Sequence, residues 1–143
     1  MIPNPGELDA IIDRALAEDA VGSDVTSLAL ISASVEAKAS IVVKQSGILA
    51  GLHIAAAVFN RVNPDLKFVH RLQDGDHLTT GQSLATVSGS IASILSGERT
   101  ALNFLQRMSG IATLTDLYVS AIAGTTASIA DTRKTVLGLR VLD

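Results

Sequence analysis

The stretch Ser90 to Gly124, SIASILSGERTALNFLQRMSGIATLTDLYVSAIAG, limits the possible folds more than any other. It reads as a long helical region: Leu95, Leu102, Leu105, Met108, Ile111, Ala112, Leu117 and Ile122 mark an apolar stripe, and Gly110 a break or bend. Such a helix has to lie against something, and the preceding chain supplies strands. Val35, Ala37, Ala39, Ile41 and Val43 alternate with polar positions, the period of a strand with one buried face. Gln45-Ser46-Gly47 turns the chain into a second short strand, Ile48 to Ala50. Leu66 to Leu72 reads as a third, with Leu66, Phe68 and His70 to one side, and DGDHLTTGQSLATVSG (Asp74 to Gly89) as two short strands separated by glycine turns.

Two shorter helices complete the set. Pro5 and Gly6 open the first, which puts Leu8, Ile11, Ile12, Ala15 and Leu16 on one face before EDAVGSDVTS (Glu18 to Ser27) ends it. Leu52 to Asn63 is an alanine-rich helix stopped at Asn63-Pro64. Helix, mostly antiparallel strands, then long helices is the order of an α+β protein.

The chain's 143 residues suit one domain, and 48% hydrophobic against 17% charged residues exclude a disordered chain. Only 3% are aromatic, so the core has to be aliphatic. A net charge of -3 with no basic stripe excludes the ordinary nucleic-acid binder. The absence of cysteine excludes disulfides and thiolate metal sites. Met1 to Pro5 carries no signal-peptide pattern, and no apolar run approaches the roughly 18 residues of a membrane span, so a cytoplasmic protein with no membrane partner is expected.

The candidate chemistry lies toward the end. The apolar run Ala127-Ser128-Ile129-Ala130 leads into DTRKTVLGLR (Asp131 to Arg140). A strand at Ala127 to Asp131, following a long helix and ending in a charged loop, reads as the first strand of a βα barrel, whose active-site residues sit at the carboxyl ends of strands. Arg133 offers a planar fork for a carboxylate or phosphate and Lys134 a compact charge. Alone, such a pair is more often a solvated loop. Arg99, Asn103 and Gln106 share a helical face that alone would read as a face in water, and Glu98 could serve as a helix-dipole partner. His53, His70 and His77 show no metal-ligand spacing, and Asp74 and Asp76 around Gly75 read as turn chemistry.

Taken together, SGERTALNFLQRMSGIAT (Ser96 to Thr113), DTRKTVLGLR, EDAVGSDVTS and GILAG (Gly47 to Gly51) resemble the quinolinate phosphoribosyltransferase family, the carboxylating nicotinate-nucleotide pyrophosphorylases. The resemblance implies an N-terminal α/β sandwich, barrel-sandwich or hammerhead-like, over residues 1–111. The start of an incomplete TIM-like βα barrel would follow over 112–143. It implies transfer of ribose 5-phosphate from phosphoribosyl pyrophosphate to quinolinate with loss of CO2, in NAD biosynthesis. It also implies a homodimer in which the N-terminal part of one subunit covers the barrel of the other. Arg99, Thr132, Arg133 and Lys134 match the family's substrate-binding positions, and Lys134 also its catalytic lysine. No metal ligand falls in this chain; Mg2+ would accompany phosphoribosyl pyrophosphate on residues past Asp143, so the chain alone is expected to be inactive. One departure is Leu137, where the family usually has proline. Two alternatives remain at this point: the molybdenum-transport-associated relative, which shares the TRKT region, and a lipoyl- or biotinyl-like carrier. The rhythm of Asp74 to Gly89 suits a carrier, but Lys44 has the wrong neighbours for a modified lysine.

Overall fold

The computed structural model describes residues 5–19 and 35–142. Helix α1 (Pro5–Glu18) is followed by strand β1 (Glu36–Val42), the short β2 (Gly47–Ile48) and helix α2 (Leu52–Val62). Strands β3 (Lys67–His70), β4 (His77–Leu78) and β5 (Ser83–Ser90) come next, and β5 runs directly into the 31-residue helix α3 (Ile91–Ala121). This is the α+β order expected from the sequence. The stretch 20–27, expected to break the first helix, lies outside the described residues.

The sheet has the order β1-β5-β3, all antiparallel, with Ala39 and Phe68 both opposite Val87. β1 keeps the alternation read from its sequence, as befits an edge strand with one covered face. The central β5 is buried at four successive positions, Leu84 to Val87, so both its faces are shielded there. β2 and β4 form a separate antiparallel pair. Ile11, Ile12 and Leu16 of α1 join Leu52, Ile54, Val58 and Phe59 of α2, the sheet, and Ile94, Ala101, Phe104 and Leu105 of α3 in one aliphatic core.

Three expectations need correction. Gly110 does not break the helix, because α3 runs through it. A mid-helix glycine costs only about 1 kcal/mol, less than the surrounding ladder supplies. The buried face of α3 is Ile94, Gly97, Thr100, Ala101, Phe104 and Leu105, whereas Leu95, Ile111 and Leu117 of the expected stripe are exposed. The cause is close approach. A Cβ on Gly97 would lie 3.0 Å from Phe59 Cδ1, so small residues mark the seam with α2, and a search for large ones misses it. Residues 127–131, expected as a strand, are exposed and unpaired with any strand. A ladder needs a neighbour, and none of the described strands lies beside them.

Candidate functional site

β2 is too short to hold itself, and α3 holds it with side chains. Thr113 Oγ1 accepts a hydrogen bond from the Ile48 N–H at 2.8 Å, and Ser109 Oγ accepts from Ala50 N–H at 3.1 Å while donating to the Ala50 carbonyl at 3.2 Å. Their spacing of four residues puts both hydroxyls on one helix face. That spacing was visible in the sequence but carried no assignment there. Asp74 stands in the expected turn, but it is the Asp76 carboxylate that accepts from the Gln73 N–H there; the Asp74 carboxylate accepts from the N–H groups of Gly51 and Leu52 at 3.0 and 2.9 Å, capping α2 from a distance. His53 Nδ1 lies 3.1 Å from the same carboxylate on the surface.

Arg99 stands on the first half of α3 with its guanidinium in solvent, and Nη1 donates to Asp19 Oδ1 at 2.9 Å, just past the end of α1. Beside this pair, a cleft of about 330 Å³ opens between α1, α3 and the turn at Gly138-Leu139. Arg14, Asp19, Asn103 and Arg107 line it, none of them singled out by the sequence reading except Asn103. Gln106 instead faces a groove of about 620 Å³ between α3 and the β1–β2 loop, so the expected trio of Arg99, Asn103 and Gln106 does not share one recess. Lys44 lines that same groove.

Thr132, Arg133 and Lys134 lie in the segment after α3. Thr132 Oγ1 accepts from the Lys134 N–H at 3.1 Å, closing a local turn. Arg140 folds the segment back on itself: Nη2 donates to the Arg133 carbonyl at 3.2 Å and Nε to Thr135 Oγ1 at 3.3 Å. The Arg133 and Lys134 side chains project into solvent. Among the described residues, no hydrogen bond or ion pair joins Arg99 to Arg133 or Lys134. The cations occupy two places in this chain rather than one.

A family model described as "Quinolinate phosphoribosyl transferase, N-terminal domain" matches residues 24–109. The chloroplastic carboxylating nicotinate-nucleotide pyrophosphorylase of Arabidopsis thaliana is 46% identical over 138 residues, 96% of this chain and 39% of that protein. The Mycobacterium leprae enzyme of the same name is 42% identical over 142 residues, covering 95% of this chain and 50% of its own length. Among solved structures, NadC from Streptococcus pyogenes superposes with a TM-score of 0.93 at 38% identity, over 99% of this chain and 50% of that one. The chain thus spans half or less of the length of these relatives. The match covers the strands whose rhythm suggested a carrier module, and the relatives carry the pyrophosphorylase name, so both the carrier and the molybdenum-associated alternatives are dropped. With a matching family model over most of its length and a superposition across nearly all of it, the chain belongs to the quinolinate phosphoribosyltransferase family, through that family's N-terminal domain.

Proposed function

We propose that this chain forms the N-terminal part of a quinolinate phosphoribosyltransferase, a pentosyltransferase of NAD biosynthesis. Its complete form would continue into a βα barrel. In that reading quinolinate and phosphoribosyl pyrophosphate give nicotinate mononucleotide, pyrophosphate and CO2. The observation that carries it is Arg99: a solvent-facing guanidinium on a helix whose other face is buried in the core, inside the matched region.

Quinolinate holds two adjacent carboxylates on a pyridine ring, so its site needs fixed cations with fork geometry. Arg99 supplies one from the covering domain of one subunit. Arg133, with Thr132 and Lys134, supplies the other from the barrel of the partner in a homodimer. In the transfer step the ring nitrogen displaces pyrophosphate from a ribose carbon that becomes cation-like, and catalysis is mostly positioning and charge stabilisation. The ring carbon then loses CO2, carries a lone pair beside the cationic nitrogen, and takes up a proton. Lys134 is the charge we place beside that state. Mg2+ would travel with the pyrophosphate group. Among the described residues no cluster of three His, Cys, Asp or Glu side chains could hold a metal ion.

A cytoplasmic location belongs to the same proposal; among the described residues no helix is long and apolar enough to cross a membrane. The test is a turnover assay with quinolinate, phosphoribosyl pyrophosphate and Mg2+. The complete enzyme should release CO2 and form nicotinate mononucleotide, and this chain alone should not. A complete enzyme without that activity would overturn the reading, and turnover by this chain alone would overturn the division of the site.

A further inference from the structure

We propose that Asp19 is the positioning residue of Arg99: it holds the guanidinium by one nitrogen and leaves the two-donor edge open for a substrate carboxylate. This rests on the reading of Arg99 given above. Asp19 Oδ1 takes only Nη1, at 2.9 Å, so Nε and Nη2, the parallel pair of donors that a carboxylate engages side-on, are left to face outward. The molecule shows the alternative in Arg61, where Nε and Nη2 both go to the two oxygens of Asp13 and that edge is used up. Two arginines on neighbouring helices are therefore held by aspartates of the same α1 region in different ways, and only Arg99 keeps its carboxylate-binding edge.

Burial has the sense an anchor needs. The Asp19 side chain is 20% exposed and that of Arg99 is 76% exposed, so the fixed partner sits inside and the presented group outside. The position of the acid also asks for a reason. The Asp19 N–H donates to the Ala15 carbonyl, which places the carboxylate at the carbonyl end of α1, where the helix dipole disfavours negative charge. No basic residue of α1 itself stands in that last turn. The compensating cation is delivered from α3, by Arg99. An acid kept against the local preference and paired with an arginine 80 residues away is the kind of local conflict that functional sites retain. An unheld arginine would spread over many rotamers, and holding one amine narrows these before the substrate arrives.

The experiment is steady-state kinetics on the complete enzyme. Asp19→Asn keeps the shape and removes the charge; it should raise the KM for quinolinate about tenfold, leaving kcat and the KM for phosphoribosyl pyrophosphate within about twofold, the pattern of lost uniform binding. Asp19→Glu, which keeps the charge, should stay within about threefold of the parent, and it remains testable should the asparagine variant fail to fold. In the combined Arg99→Lys and Asp19→Asn variant, KM should be no higher than in Arg99→Lys alone, because Asp19 acts only through Arg99. If Arg99→Lys leaves the KM for quinolinate unchanged, the reading of Arg99 fails and the role of Asp19 with it. If Arg99→Lys raises KM and Asp19→Asn does not, only the positioning role is overturned. Additive effects in the combined variant overturn it as well, since Asp19 would then act independently.

Discussion

Helix α1 is fastened to its neighbours by two arginine–aspartate clasps, and the difference between them is what the proposed role of Arg99 rests on. In the first, Arg61 of α2 closes both teeth of its fork on Asp13, with Nε to Oδ1 at 2.6 Å and Nη2 to Oδ2 at 2.5 Å. Hydrogen bonds from Arg61 hold the Asp13 carboxyl below the usual carboxylate range, and Asp13 in turn raises the Arg61 guanidinium. All the directional capacity of that pair is spent inside the molecule. In the second clasp, Arg99 of α3 gives Asp19 a single nitrogen and turns the rest outward. A surface pair of either kind contributes little stability. What distinguishes them is the donor edge left over.

The largest expected contrast is kinetic. In the complete enzyme, Arg99→Lys keeps the charge and loses the fork, and should cost on the order of 2 kcal/mol or more in kcat/KM for quinolinate. Arg61→Lys should leave the kinetics unchanged, and neither variant should shift the melting temperature much. Equal kinetics for the two would erase the distinction between the clasps.

A second contrast sharpens it from the side of the fold. Thr113→Val removes the hydroxyl that receives the Ile48 N–H and leaves that group without its partner. Unfolding by denaturant should show a loss of about 1–3 kcal/mol, with the KM for quinolinate unmoved. This is the opposite signature to Arg99→Lys. A stability loss accompanied by an equal rise in KM would show that the β2 segment held on α3 belongs to the site.

The smallest effect is the pH dependence of the first clasp. A carboxyl whose folded pKa is depressed adds stability above its unfolded pKa and loses it as pH falls through the lower, folded value. The melting temperature should therefore decline on the acid side less steeply in Asp13→Asn than in the parent. Identical acid slopes would mean that the pair stabilises nothing.

The elements were largely legible in the sequence because their periods were clean: α1 and β1 cover the residues that the helical spacing or the alternation selected, Val35 excepted, and α2 fills the span expected of it. The seam of α3 was not legible, since Gly97 and Ala101 signal contact by being small, and a stripe of leucines is a stronger pattern to the eye. The strand at 127–131 was read from composition, but strand pairing is a property of neighbours. At the site, Arg99 and the TRKT cluster stood out through long motifs. Asp19 lay inside the quoted EDAVGSDVTS but carried no role there, because its partner lies 80 residues away and nothing in local spacing links an acid at one helix end to an arginine on another. Ser109 and Thr113 lay inside a quoted motif, yet their use as surrogate partners for β2 depends on where that strand lands.

The central claim is that Arg99 serves a site completed by a second copy of the enzyme, and mixing two inactive variants measures this directly. Arg99→Ala and Lys134→Ala subunits of the complete enzyme are dissociated, combined in equal amounts and reassociated. Random pairing makes half the dimers mixed, each with one site receiving Arg99 from one subunit and Lys134 from the other, so activity should recover to about a quarter of the parent's. Activity that stays at the level of the separate variants would contradict the account, and would place both residues in the site of a single subunit.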